Sequence, residues 1–162
     1  MMFYKEGAMR KRVVRGLFLL AAVAVISSCA TVPVAQRERG IMRVVDLINN
    51  GSVEDLVSLS RVPFVLDREI IALGSDIQTM WANLRQAGFT LPDARIADIT
   101  PVTADTYKEF GNTMDMRVYF DKYLAKDGTV VRLQSGNGTF LLLLGDRHWF
   151  TPELFGIKGP VQ

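Results

Sequence analysis

At 162 residues, with 19 Lys/Arg, 17 Asp/Glu, one His and one Cys, the chain has the length of one domain with a single core. A lone cysteine excludes an internal disulfide, and a lone histidine beside it excludes a His/Cys metal cluster. Five of the basic residues and one acidic residue lie within 1–28, leaving 14 basic against 16 acidic residues and no Lys/Arg run in the remainder, which argues against nucleic-acid binding.

In chain order, a basic segment (Arg10, Lys11, Arg12, Arg15) precedes an apolar run from Leu17 to Ile26. That run is about half the roughly 20 residues a transmembrane helix needs, and matches the n- and h-regions of a secretory signal. Ile26-Ser27-Ser28-Cys29 follows: an aliphatic residue three places before a cysteine, with small residues between. This resembles the lipobox of bacterial lipoproteins. The resemblance implies that 1–28 is removed, that Cys29 carries the lipid, and that Met1 or Met9 is the true start. Ala30 is not the aspartate that commonly retains such proteins at the inner membrane, so an outer-membrane anchor facing the periplasm is implied for an organism with two membranes. Residues 29–39, with Pro33, are expected to form a short tether, and 40–158 a single domain.

Ile41, Val44, Val45 and Ile48 recur at helical spacing before Asn49-Asn50-Gly51, predicting the first helix. Ser52 is positioned to cap a second, short one, with Glu54 and Asp55 in its first turn. Residues 63–73 then read as two short strands about Asp67-Arg68-Glu69. Ser75 is expected to cap a third helix whose Ile77, Met80, Trp81 and Leu84 share a face and which stops at Gly88.

From Ala94 on, the composition favours strands. Ile96 to Val102 is one, and Met114, Met116, Val118 and Phe120, alternating with Asp115, Arg117, Tyr119 and Asp121, predict another with one buried and one wet face. Thr129 to Leu133 and Thr139 to Leu144 flank Ser135-Gly136-Asn137-Gly138, a hairpin signal. The wholly apolar Phe140 to Leu144 predicts a central strand covered on both sides. Gly145-Asp146-Arg147 turns into a final strand from His148 to Phe155.

The predicted fold class is therefore α+β: three N-terminal helices, with a short hairpin before the third, packed on a curved antiparallel sheet. This order, with Pro63-Phe64-Val65-Leu66-Asp67, Trp81 and the closing Gly145-Asp146-Arg147-His148-Trp149-Phe150, resembles the nuclear transport factor 2-like (SnoaL-like) superfamily of cone-shaped α+β domains; a cystatin-like or other α+β meander is the alternative. The resemblance implies a pocket between sheet and helices, used across the superfamily for catalysis, ligand binding, dimerisation or scaffolding, so fold alone does not decide function. A homodimer is one expected partner state. The ketosteroid-isomerase version needs a tyrosine in the first helix, and Ile41 to Asn50 has none.

Candidate chemistry is sparse. Asp98 and Asp115 are carboxylates among apolar neighbours that could act as a pocket base, although on an alternating strand such residues ordinarily face solvent. His148 titrates near neutrality but abuts a turn. Trp81, Tyr119 and Trp149 are candidate pocket residues, with Tyr107 and Tyr123 as further aromatics. No metal site, cofactor fingerprint or nucleophile elbow is present. The expected function is a non-catalytic envelope lipoprotein, held to the membrane by lipid on Cys29, that binds a small apolar ligand or an envelope protein. The alternative is an isomerase- or hydrolase-type enzyme using a pocket carboxylate.

Overall fold

A computed structural model describes residues 34–124, 128–145 and 152–161. The elements run α1 (Val34–Asn50), α2 (Val53–Leu59), β1 (Ser60–Leu66), β2 (Glu69–Ile71), α3 (Gly74–Gln86), β3 (Arg95–Pro101), α4 (Tyr107–Phe110), α5 (Met114–Tyr123), β4 (Gly128–Ser135), β5 (Gly138–Gly145) and β6 (Glu153–Val161). The six strands form one sheet in the order β2-β1-β6-β5-β4-β3. The α+β class is as expected. The sheet, however, is mixed: β1 runs parallel to β6, while the other neighbours are antiparallel.

The α1 helix forms because Ile41, Val44, Val45 and Ile48 make an apolar stripe, and all four are buried. It begins at Val34, so the expected tether is already helical over its last six residues. Its end is satisfied from outside. Arg85 donates from its guanidinium to the carbonyls of Leu47 (3.1 Å), Asn49 (2.8 Å) and Gly51 (2.6 Å), placing a cation on the orphan carbonyls and negative pole of a helix terminus. In α2, Ser52 and Asp55 form a reciprocal capping box, and this holds the Asp55 carboxyl below its ordinary range. The third helix differs at its start: Leu73 is the N-cap and makes no side-chain bond, while Ser75 lies inside the first turn with its hydroxyl on Asp76. Gly88, at φ 72°, ends the turn after it.

The strand predicted over Met114 to Asp121 is a helix, α5. Thr113 caps it by accepting the Met116 N–H at 3.2 Å, and Asp115 stands in its first turn. The segment satisfies both periods, but its buried side chains are Met116, Tyr119 and Phe120, spaced three and four apart as a helix face requires. Tyr119, which strict alternation puts on the wet face, is inside, and Val118, which it puts inside, is exposed. With α4 this helix covers the second face of the sheet, an arrangement that departs from a cone with all helices on one side.

Two apolar layers result. On one face α1, α2 and α3 pack on Phe64, Val131, Leu133, Phe140, Leu142, Leu144, Leu154 and Ile157. On the other, Phe110, Met116, Tyr119, Phe120 and Leu124 pack on Val65, Val130, Leu141 and Leu143. The run Phe140 to Leu144 thus serves both layers by alternation, as its apolar composition predicts. The last strand reaches Val161, three residues past the expected end of the domain.

Candidate functional site

The parallel pair determines where the molecule opens. β1 and β6 are in register at Val65–Gly156 and Leu66–Ile157, but between Ser60 and Val65 the register shifts. Gly156 permits the close approach: a Cβ there would lie 2.7 Å from the Val65 carbonyl oxygen. Tyr119 bridges the two strands from α5, its hydroxyl 3.0 Å from both the Pro63 and the Phe155 carbonyl oxygens. One phenolic proton is shared between two acceptors. Burial pushes this phenol's pKa well above its ordinary value of 10.0.

At the carboxyl ends of these two strands the chain turns back on itself. Asp67 adopts φ 54°, a left-handed conformation that aspartate tolerates. Its N–H donates to the Ile157 carbonyl (2.9 Å) and its Oδ1 accepts the Gly159 N–H (2.9 Å). Beside this junction lies a cleft of about 300 Å³ lined by Leu66, Leu84, Phe89, Phe140, Ile157 and Pro160, with Asp67, Thr90, Asn137 and Gly159 among its remaining walls. Phe89 meets Phe140 edge to face at 5.9 Å. The outer wall is fastened by the β4–β5 hairpin: Asn137 donates to the Thr90 carbonyl (3.1 Å), and Ser135 Oγ and Gly136 N each donate to the Pro92 carbonyl at 2.8 Å. The Asn49 side chain pairs with both backbone groups of Leu91, tying the same loop to α1.

A second cleft, about 490 Å³, shares Leu66, Asp67, Gly159 and Pro160 with the first and adds Arg68, Glu69 and Lys158. One compartment is apolar, and the other carries charge. Space beyond the carboxyl ends of parallel strands is where ligands sit in open α/β sheets, and a few convergent polar groups at an apolar pocket define the ordinary small-molecule site.

The residues singled out from sequence are not assembled here. Asp98 is exposed on β3 and accepts only the neighbouring Ile99 N–H; Asp115 is exposed in the first turn of α5. Trp81 is fully buried on the inner side of α3, donating its indole N–H to Ser60 Oγ at 2.9 Å, whereas Tyr119 belongs to the layer on the opposite face. The sheet separates the two, so they cannot line one pocket. Tyr107 and Tyr123 accompany Tyr119 on its side, the Tyr123 ring tilted against it with centroids 5.3 Å apart. Cys29, His148 and Trp149 lie outside the described residues.

The cleft residues were missed because Leu66, Leu84, Phe89, Phe140 and Ile157 read as ordinary core. The one available signal was Asn137-Gly138, which marks the hairpin whose tip forms the wall. Among the described residues, no group of three or more His, Cys, Asp or Glu side chains could hold a metal ion, and no helix is long and apolar enough to cross a membrane. No protein-family model, curated protein or solved structure matches this chain.

Proposed function

We propose that this protein is a lipid-anchored component of a bacterial envelope and that its domain works by binding a small apolar ligand at the carboxyl ends of β1 and β6. The observation that carries the binding half is the apolar cleft walled by Phe89 and Phe140 and fastened by Asn137. The anchoring half rests on Ile26-Ser27-Ser28-Cys29 after a basic and apolar leader. A diacylated cysteine supplies the two chains that stable membrane attachment requires, where one chain binds only marginally. Ala30 supports an outer-membrane, periplasm-facing location, and the order α1-α2-β1-β2-α3 supports kinship with nuclear transport factor 2-like domains for that half of the chain.

The two halves are tested separately. In cells fed radiolabelled palmitate the protein should take up label, and Cys29→Ser should abolish it; equal labelling of the variant, or none in the parent, overturns the anchor. For the cleft, Leu84→Trp on its wall should weaken binding of a ten-carbon alcohol about tenfold or more with the melting temperature retained. Unchanged binding in that variant overturns the site.

A further inference from the structure

The ligand itself can be narrowed, on the basis of the ligand-binding reading above. The two clefts share Leu66, Asp67, Gly159 and Pro160 in their linings, so they adjoin, and a molecule seated in one lies within reach of the other. The apolar compartment, at about 300 Å³, holds a chain of roughly ten carbons if a methylene takes about the 30 Å³ of a liquid water.

At the charged end the groups differ in what they have left to offer. Asp67 already accepts from Gly159 N–H and holds the turn, so its role is architectural. Lys158 spends one N–H on the Glu109 carbonyl and keeps two. The Arg68 guanidinium makes no hydrogen bond or ion pair within the described residues and presents five donors. Against these stand the Glu69 carboxylate and the second carboxylate oxygen of Asp67. The uncommitted N–H donors of Arg68 and Lys158 are suited to a carboxylate or phosphate with several lone pairs.

We propose that the paired clefts bind a single-chain amphiphile with an anionic head, its chain lying against the wall that Phe89 and Phe140 form together and its head between Arg68 and Lys158. Carboxylate and phosphate heads share this chemistry, and the test separates them.

The full chain carrying Cys29→Ser, kept free of detergent, is titrated calorimetrically with decanoate, decyl phosphate, decanol and decyltrimethylammonium. Decanoate or decyl phosphate should bind about tenfold or more tighter than decanol, a ratio suited to a charge-assisted contact, and decyltrimethylammonium weakest of all. The tighter of the two anions identifies the head. Arg68→Ala and Lys158→Ala, alone and together, should bring the affinity for the anion down toward that for decanol. Glu69→Gln should increase the preference.

Equal binding of decanoate, decyl phosphate and decanol, or tighter binding of the cation, overturns the anionic-head assignment while leaving an apolar site. Failure of all four to bind removes the ligand-binding reading and this assignment with it. Loss of decanol binding in Arg68→Ala, an exposed position, would show that the head site is not separate from the chain site and would also overturn it.

Discussion

The two faces of the sheet are built differently. The face under α1, α2 and α3 buries 17 residues in one cluster, from Ile41 to Ile157, and its polar groups are bound locally: a capping box at Ser52, the Arg85 guanidinium on the end of α1, the Asn49 amide on Leu91. The face under α4 and α5 buries nine among the described residues; the Tyr119 hydroxyl joins α5 to the two parallel strands, and Glu109 on α4 takes Lys158 on its carbonyl and Arg132 on its carboxylate. The first face is held by the larger buried cluster, the second by a smaller one with the buried Tyr119 bridge and exposed polar contacts at Glu109. The cleft borders the first face through Leu84, Phe89, Phe140 and Ile157, so its walls are drawn from the side with the larger buried cluster. That is the side from which a preformed site is expected.

The largest expected effect comes from breaking the first face. Trp81→Ala removes a fully buried ring that packs on Phe64 and donates to Ser60, and it should cost about 3–5 kcal/mol in denaturant unfolding. A smaller loss, under about 1 kcal/mol, would mean the cluster collapses onto the gap and that Trp81 is not central to this face.

Tyr119→Phe breaks the bridge of the second face, leaving the Pro63 and Phe155 carbonyls without their shared donor. About 1–3 kcal/mol should be lost, and hydrogen exchange should quicken in α5 more than in α1. Its pH signature is specific. The folded phenol's pKa is raised above 10.0 by burial, so the unfolded chain ionises first; Tyr119 contributes its full stability below about pH 10 and loses it progressively as pH rises beyond that. The parent's melting temperature should fall more steeply than the variant's above pH 10, and parallel alkaline curves would show that Tyr119 is not the group responsible.

Ser52→Ala, which removes one cap among several anchors of the first face, should cost about 1 kcal/mol. Asp98→Asn and Asp115→Asn should each stay within about 0.5 kcal/mol of the parent and leave ligand affinity unaltered. Abolition of a measured turnover by either would restore the pocket-carboxylate enzyme.

The same contrast explains what could be read from sequence. Where one signal dominated, the segment was legible: the stripe Ile41-Val44-Val45-Ile48, the cap at Ser52, the hairpin at Gly136-Asn137 and the doubly covered run Phe140 to Leu144. On the second face two signals competed. Met114 to Phe120 satisfies period 2 and period 3.6 at once, and the decisive facts, that Thr113 caps and that Tyr119 reaches two carbonyls on distant strands, are tertiary. The parallel pairing of β1 with β6 was hidden for a related reason. Strands so far apart in sequence carry no local record of direction, and Gly156 reads as a turn residue until Val65 is seen against it. The cleft was invisible because its lining is core by type, and only the meeting of Leu66-Asp67 with Gly159-Pro160 turns that lining into a wall.

Amide shifts of the isotope-labelled Cys29→Ser full chain, followed as decanol and then decanoate are added, test the central claim most directly. Changes should concentrate at Leu66, Leu84, Phe89, Thr90, Asn137 and Gly159, extending to Arg68, Lys158 and its partner Glu109 with decanoate alone, while Met114 to Tyr123 stays still. Shifts centred on α4 and α5, or none at saturating ligand, would contradict a ligand site at the carboxyl ends of β1 and β6.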